Sequence, residues 1–121
     1  MAEKLVFMVT HGPADAELAT IPFVMAAAAL ASDVEVVMGF QGDGVELGHT
    51  GVAETVNAEH FPPLAKLLAD VLELGGKLLL CSPCLKSRGI AIPDDLIEGT
   101  EVVAAGRFIV EITSAHSTLV Y

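Results

Sequence analysis

Two cysteines stand three positions apart in Cys81-Ser82-Pro83-Cys84, and the 121-residue chain has no others. A close pair in a reducing compartment points to redox chemistry, sulfur chemistry or metal binding, not to a secreted disulfide scaffold. Set where a strand feeds a helix, Cys81 is expected to be the helix cap. Unpaired amide hydrogens and the positive end of the helix dipole would then face its sulfur. Lys86 and Arg88 lie within two turns and add positive potential to an otherwise acidic sequence. This setting predicts a pKa below the unperturbed ~8.5 and a nucleophilic or persulfide-carrying sulfur. Cys84, inside the first helical turn, is expected about 5–6 Å away, within the range that permits a disulfide. It could resolve or protect Cys81.

Other readings of the pair are open at this level. Free cysteine is among the most buried residue types, so the two sulfurs could simply pack a strand–helix junction. A zinc site would need two further ligands from His11, His49 or a neighbouring subunit, and no second Cys-x-x-Cys follows at finger spacing. We therefore expect neither metal nor cofactor. His11, directly after the first strand, could donate a proton to a leaving thiol or orient a ligand, or could bond only to its own turn. Asp43 in Gly42-Asp43-Gly44 is a turn residue by type, kept as a candidate by its place after the second strand. His49, His60 and His116 are expected to be solvated or backbone-bonded. Gly42, Gly44 and Gly48 do not form a dinucleotide fingerprint, because the third is one position late and the segment follows the second strand. No Walker loop, Gly-x-Ser-x-Gly elbow or His-Glu-x-x-His helix occurs.

Positioning these residues is the work of alternating strands and helices. Residues 4–10 are a continuous apolar run, as expected for a strand buried on both faces of a parallel sheet. Residues 14–32 are helix formers, with Pro22 either kinking the helix or marking a first turn capped by Thr20. Residues 34–38 read as the second strand. Residues 39–51 hold five of the eleven glycines and support no firm assignment beyond a functional loop or a short extra strand. A helix over 61–74 opens on Pro62 and Pro63 and stops at Gly75-Gly76, with apolar residues at helical spacing. Residues 77–81 form the third strand, 82–88 a short helix ended by Gly89, 93–97 a helical turn and 101–104 the fourth strand. A last helix over 107–114 and a strand over 118–121 complete the pattern. The fold class is α/β, a three-layer α/β/α sandwich with a mostly parallel sheet. Ligand crevices in such sheets lie outside the carboxyl ends of the strands. That edge carries Thr10, His11, Gln41, Gly42, Asp43 and Cys81, and strand order decides which of them meet.

Composition bounds the partners. The length suits a single domain over 1–121. Hydrophobic residues at 53% and charged residues at 18% exclude intrinsic disorder and suggest self-association. Six Lys and Arg against 16 Asp and Glu give a net charge of −10, which disfavours nucleic acid and anionic lipid. The apolar run 5–9 is too short for a signal-peptide core, and 21–31 is about half of the ~20 residues needed to cross a bilayer. A cytoplasmic location without a membrane span is expected.

The segment Cys81-Ser-Pro-Cys-Leu-Lys-Ser-Arg-Gly-Ile90 after a buried strand resembles the cysteine segment of the DsrE/DsrF-like (DsrEFH/YchN-type) sulfur-relay proteins. Thr10-His11-Gly12-Pro13, the Pro-Phe-Val-Met-Ala-Ala-Ala segment from Pro22, and Phe40-Gln41-Gly42-Asp43-Gly44-Val45 are similar to small single-domain members. The resemblance implies a Rossmann-like fold with five parallel strands, oligomers from dimers through trimers to hexamers, and a strand-end cysteine carrying persulfide sulfur between proteins. Counted back from Arg88-Gly89, Cys81 occupies that position. Sulfur-carrying members often have one cysteine here, whereas this chain has two, as do relatives labelled peroxiredoxin-like. The expectation is a persulfide-handling protein exchanging sulfur with donor and acceptor proteins or small persulfides. In it Cys81 accepts sulfane sulfur, Cys84 releases or guards it, and His11, Lys86 or Arg88 favours the thiolate. The alternatives are a dithiol oxidoreductase cycling through a disulfide, and a non-catalytic oligomeric subunit or small-ligand binder.

Overall fold

The computed structural model describes residues 3–121. Five strands, β1 (Lys4–Val9), β2 (Glu35–Phe40), β3 (Lys77–Cys81), β4 (Thr100–Val103) and β5 (Ser117–Val120), form one sheet in the order β4-β3-β2-β1-β5. Every neighbouring pair is parallel. The helices are α1 (Ala16–Ala31), α2 (Leu64–Glu73), α3 (Ser82–Ser87) and α4 (Ala105–Thr113). The result is the Rossmann-like three-layer sandwich that the sequence predicts.

Parallel crossovers are right-handed, so the three steps from β1 to β4, all in one direction, put α1, α2 and α3 on one face. The return from β4 to β5 puts α4 on the other. Strand side chains alternate between faces. Phe7, Val9, Met38, Phe40, Leu78 and Leu80 share one core with Phe23 of α1, Leu64 and Leu68 of α2 and Leu85 of α3. Val6, Met8, Val37, Leu79 and Val103 form a second core under Phe108 of α4. Because both faces are covered, the strands read as unbroken apolar runs. The smaller second core is joined by a clasp between β1 and α4. Lys4 Nζ of β1 donates to Glu111 Oε1 of α4 at 2.9 Å, and Arg107 Nε donates to Glu111 Oε2 at 2.7 Å.

Several boundaries differ from expectation. The first helix starts at Ala16, where the Asp15 side chain accepts from the Leu18 amide at 3.2 Å. Thr20 is therefore interior and not a cap, and its hydroxyl donates to the Ala16 carbonyl. Pro22 stays buried within α1. The second strand runs through Gly39 to Phe40 instead of ending at Met38. Gly39 is there for space. A Cβ would lie 2.7 Å from Met8 Sδ and 2.8 Å from Phe108 Cε1, so its absence lets α4 settle on the sheet. The expected helix over 61–74 covers only Leu64–Glu73, since Pro63 takes the cap position and its carbonyl accepts from Lys66 and Leu67. The expected helical turn over 93–97 is shorter and lies earlier: turn residues run over 92–95, where the Asp95 amide donates to the Ala91 carbonyl and the Leu96 amide to the Pro93 carbonyl, and Leu96 itself makes an isolated antiparallel bridge with His49.

The glycine-rich segment contains no extra strand. A 3-10 run spans Gly42–Gly48, longer than the three or four residues such helices usually reach. Close approaches hold it: a Cβ on Gly44 would lie 2.1 Å from the Val9 carbonyl oxygen, and one on Gly48 2.6 Å from Leu80 Cδ1. These glycines seat the loop after β2 on the ends of β1 and β3. Among the described residues, no helix is long and apolar enough to cross a membrane.

Candidate functional site

Strand register answers the question that the sequence leaves open. Val9 of β1 pairs with Phe40 of β2, Phe40 with Leu80 of β3, and Cys81 with Val103 of β4. Thr10, Gln41 and Cys81 thus leave three adjacent strands in one row at the carboxyl edge. The loop after β2 comes down beside α3.

Cys81 ends β3 and occupies the cap position of α3, with Pro83 in the first turn. Both cysteines are reduced and half-buried. Their sulfurs lie 2.9 Å apart and share a hydrogen bond in which either thiol can donate. Cys84 receives a second contact, from the Gly42 amide to its sulfur at 3.3 Å. The Gly42 backbone, at φ +54°, is in the left-handed region that suits glycine.

Arg88 fastens the two segments together. Its Nη2 donates to Asp43 Oδ1 at 2.8 Å, and its Nη1 donates to the Cys84 carbonyl and the Ser87 hydroxyl, each at 3.1 Å. The guanidinium pKa is raised, first by this hydrogen bond to Asp43. Cys81, Cys84, Asp43 and Arg88 therefore belong to one cluster.

One electrostatic expectation is corrected. The Cys81 side chain closes no cap hydrogen bond, and its pKa is raised instead of lowered. Burial pushes the thiol up first, and the hydrogen bond with the Cys84 side chain adds to the rise. The nearby Cys84 amide and the Arg88 charge pull down with less effect. Arg88 is largely engaged by Asp43, and a six-residue helix offers Cys81 a weak dipole.

His11 and Lys86 stand apart from the thiols. His11 is half-buried with Nδ1 at 3.4 Å from Thr10 Oγ1, and it makes no hydrogen bond to either cysteine. Its turn adjoins the cluster through backbone, since a Cβ on neighbouring Gly12 would lie 2.4 Å from the Asp43 carbonyl oxygen. Lys86 is exposed, and its side chain enters no hydrogen bond or ion pair among the described residues. The Gly42 amide is the functional group that sequence reasoning missed. Its signal was the glycine after Gln41 at a strand end, which marks a turn but not where its N–H points. Among the described residues, no three His, Cys, Asp or Glu side chains converge so as to hold a metal ion. A concavity of about 390 Å³ lies elsewhere, between α2 and the 96–98 segment, with Leu68, Leu72 and Ile97 in its lining.

Comparisons with known proteins follow the same outline. Residues 3–121 match the sequence profile of the DsrE/DsrF-like family. The uncharacterized protein MJ0760 of Methanocaldococcus jannaschii is 32% identical over 107 residues, 88% of this chain, which spans only 38% of that protein's length. MJ0989 of the same organism is 26% identical over 118 residues, 98% of this chain and 99% of its own. Among solved structures, the ychN protein from E. coli superposes with a TM-score of 0.83 at 21% identity, covering 98% of this chain and 99% of that one. MTH1491 from Methanobacterium thermoautotrophicum, a protein of unknown function, gives 0.76 at 18% identity over 98% and 99%. At these identities the structural likeness speaks to fold.

Proposed function

Since the chain belongs to the DsrE/DsrF-like family, whose membership suggests a sulfur-relay role, we propose that Cys81 accepts sulfane sulfur and carries it as a persulfide. The observation that carries this reading is the placement of a half-buried thiol at the end of β3, in one row with the ends of β1 and β2 and in contact with a second thiol. A thiolate attacks the sulfane sulfur of a donor, an S–S bond forms on Cys81, and the donor's remaining group departs. Partial burial shields the persulfide between donor and acceptor. The raised pKa means that the reactive thiolate forms as a minor species, or when a donor's positive charge arrives.

The test is direct. Reduced Cys84→Ser protein, in which Cys81 is the remaining thiol, is incubated with thiosulfate or glutathione persulfide and its intact mass is taken; the mass of one sulfur atom is expected on Cys81. Equal uptake by Cys81→Ser would refute the reading. The Cys-x-x-Cys geometry also favours a second reading, a dithiol oxidoreductase, because the thiols already touch. That reading predicts reduction of insulin disulfides by the reduced protein.

Self-association and a cytoplasmic site of action complete the proposal, as does a single domain of this family over 1–121. Glu17 is the one charged residue of α1, and Leu18 and Met25 are exposed on it. A helix apolar on all sides is usually covered on all sides. A dimer, trimer or hexamer would cover it, and sedimentation velocity measures which. Proteins or small persulfides would then be the donors and acceptors.

A further inference from the structure

Resting on the reading of Cys81 as sulfur acceptor, we propose that Cys84 discharges the Cys81 persulfide as hydrogen sulfide, which makes the pair a sulfide-releasing device as well as a carrier.

The geometry is that of an exchange ready to occur. Cys84 Sγ lies 2.9 Å from Cys81 Sγ, at or inside the ~3–3.5 Å separation of a near-attack arrangement. The added sulfur of a persulfide extends beyond Cys81 Sγ, so the sulfur facing Cys84 is the inner one. Cys84 is also held in place from two sides. The Gly42 amide donates to its sulfur, and Arg88 ties its carbonyl to Asp43, the residue after Gly42. An amide directed at sulfur suits the negative charge that gathers there as the proton leaves.

In the exchange, Cys84 sulfur attacks the inner sulfur. The Cys81–Cys84 S–S bond forms while the bond from Cys81 to the outer sulfur breaks. The outer sulfur leaves with that bond's electron pair, and the Cys84 proton ends on it as hydrogen sulfide. One S–S bond replaces another, so the step itself needs no outside oxidant or reductant. A dithiol reductant then reopens the disulfide for a further round. The competing attack on the outer sulfur would expel Cys81 as a thiolate. Burial raises the basicity of Cys81, hydrosulfide is the weaker base, and the weaker base leaves faster.

The experiment separates this step from the one it rests on. Under argon and without free reductant, wild type and Cys84→Ser are treated with thiosulfate, whose other product is sulfite, and released sulfide is measured beside intact mass. Wild type is expected to release one sulfide per chain and to lose two hydrogens, whereas Cys84→Ser releases none and keeps one added sulfur on Cys81. A wild-type persulfide as lasting as that of Cys84→Ser, with no sulfide, overturns the proposal and leaves Cys81 as an acceptor. If thiosulfate and glutathione persulfide load neither protein, the acceptor reading falls and the discharge falls with it.

Discussion

Replacing Gly44 by alanine tests whether the loop after β2 positions the thiols. The Gly44 φ is not in the left-handed region, so alanine meets no backbone strain there. The obstacle is space. The new Cβ would lie 2.1 Å from the Val9 carbonyl oxygen and 2.8 Å from its carbon, both backbone atoms of a buried strand. Ordinary contact begins near 3.4 Å, so the loop must retreat by roughly 1.3 Å, the difference between 3.4 and 2.1. Overpacking of this kind costs about 1–3 kcal/mol. With urea slopes of about 1–3 kcal/mol/M, the unfolding midpoint should fall by roughly 1 M. The same shift displaces Gly42 and Asp43 relative to α3, disturbing the 3.3 Å amide contact to Cys84 and the hold of Asp43 on Arg88. Urea unfolding followed by circular dichroism measures the first effect, and iodoacetamide alkylation of Cys84 in a Cys81→Ser background measures the second. A Gly44→Ala protein with unchanged midpoint and unchanged Cys84 alkylation would refute the reasoning.

Other consequences can be checked in parallel. Alkylation of Cys81 against pH should give a midpoint above that of a free cysteine peptide, and a midpoint below it would contradict the role given to burial. Glu111 has its pKa lowered, first by Lys4 and then by Arg107. Its stabilising effect is thus present above the unfolded carboxylate value of ~4.3 and is lost as pH falls through the lower folded value. Glu111→Gln should lose on the order of 2 kcal/mol near neutral pH and less in acid, as read by urea unfolding across pH. Arg88→Ala removes a pair that is 28% exposed on one side and 60% on the other. It should leave the urea midpoint little changed, as for other exposed ion pairs, while speeding Cys84 alkylation, and an unchanged rate would mean that Arg88 does not hold the loop. Gly39→Ala should destabilise by about 1–3 kcal/mol through Met8 and Phe108.

The sheet was legible because both of its faces are buried, and a doubly covered strand leaves an unbroken apolar run in the sequence. The weak points were positions where two effects share one residue. Gly39 resembles a strand terminator by composition, yet it continues β2 because Phe108 occupies the place of its side chain. Thr20 before Pro22 resembles a cap, but Asp15 had already capped the helix. At the site, the proximity of Cys81 to Cys84 follows from three-residue spacing on a helix. The union of Asp43 with Arg88 depends on β2 lying beside β3, which no local pattern encodes. The pKa direction failed for a related reason: a cap position raises the hope of a dipole, while desolvation depends on how much of the chain folds over the sulfur.

The strand order has a kinetic consequence. β1 is the first strand in the chain, yet it lies between β2 and β5 and is paired on its outer edge by the last strand, with Leu5 opposite Ser117 and Met8 opposite Val120. That edge stays open until α4 and β5 have formed. Closing a loop of this length is slow compared with forming local helices. During that interval β1 presents a bare apolar edge to other chains, the kind of surface that templates aggregation. Dilute refolding should therefore give better yields than concentrated refolding, with protection of the β1 amides appearing last on the side that faces β5.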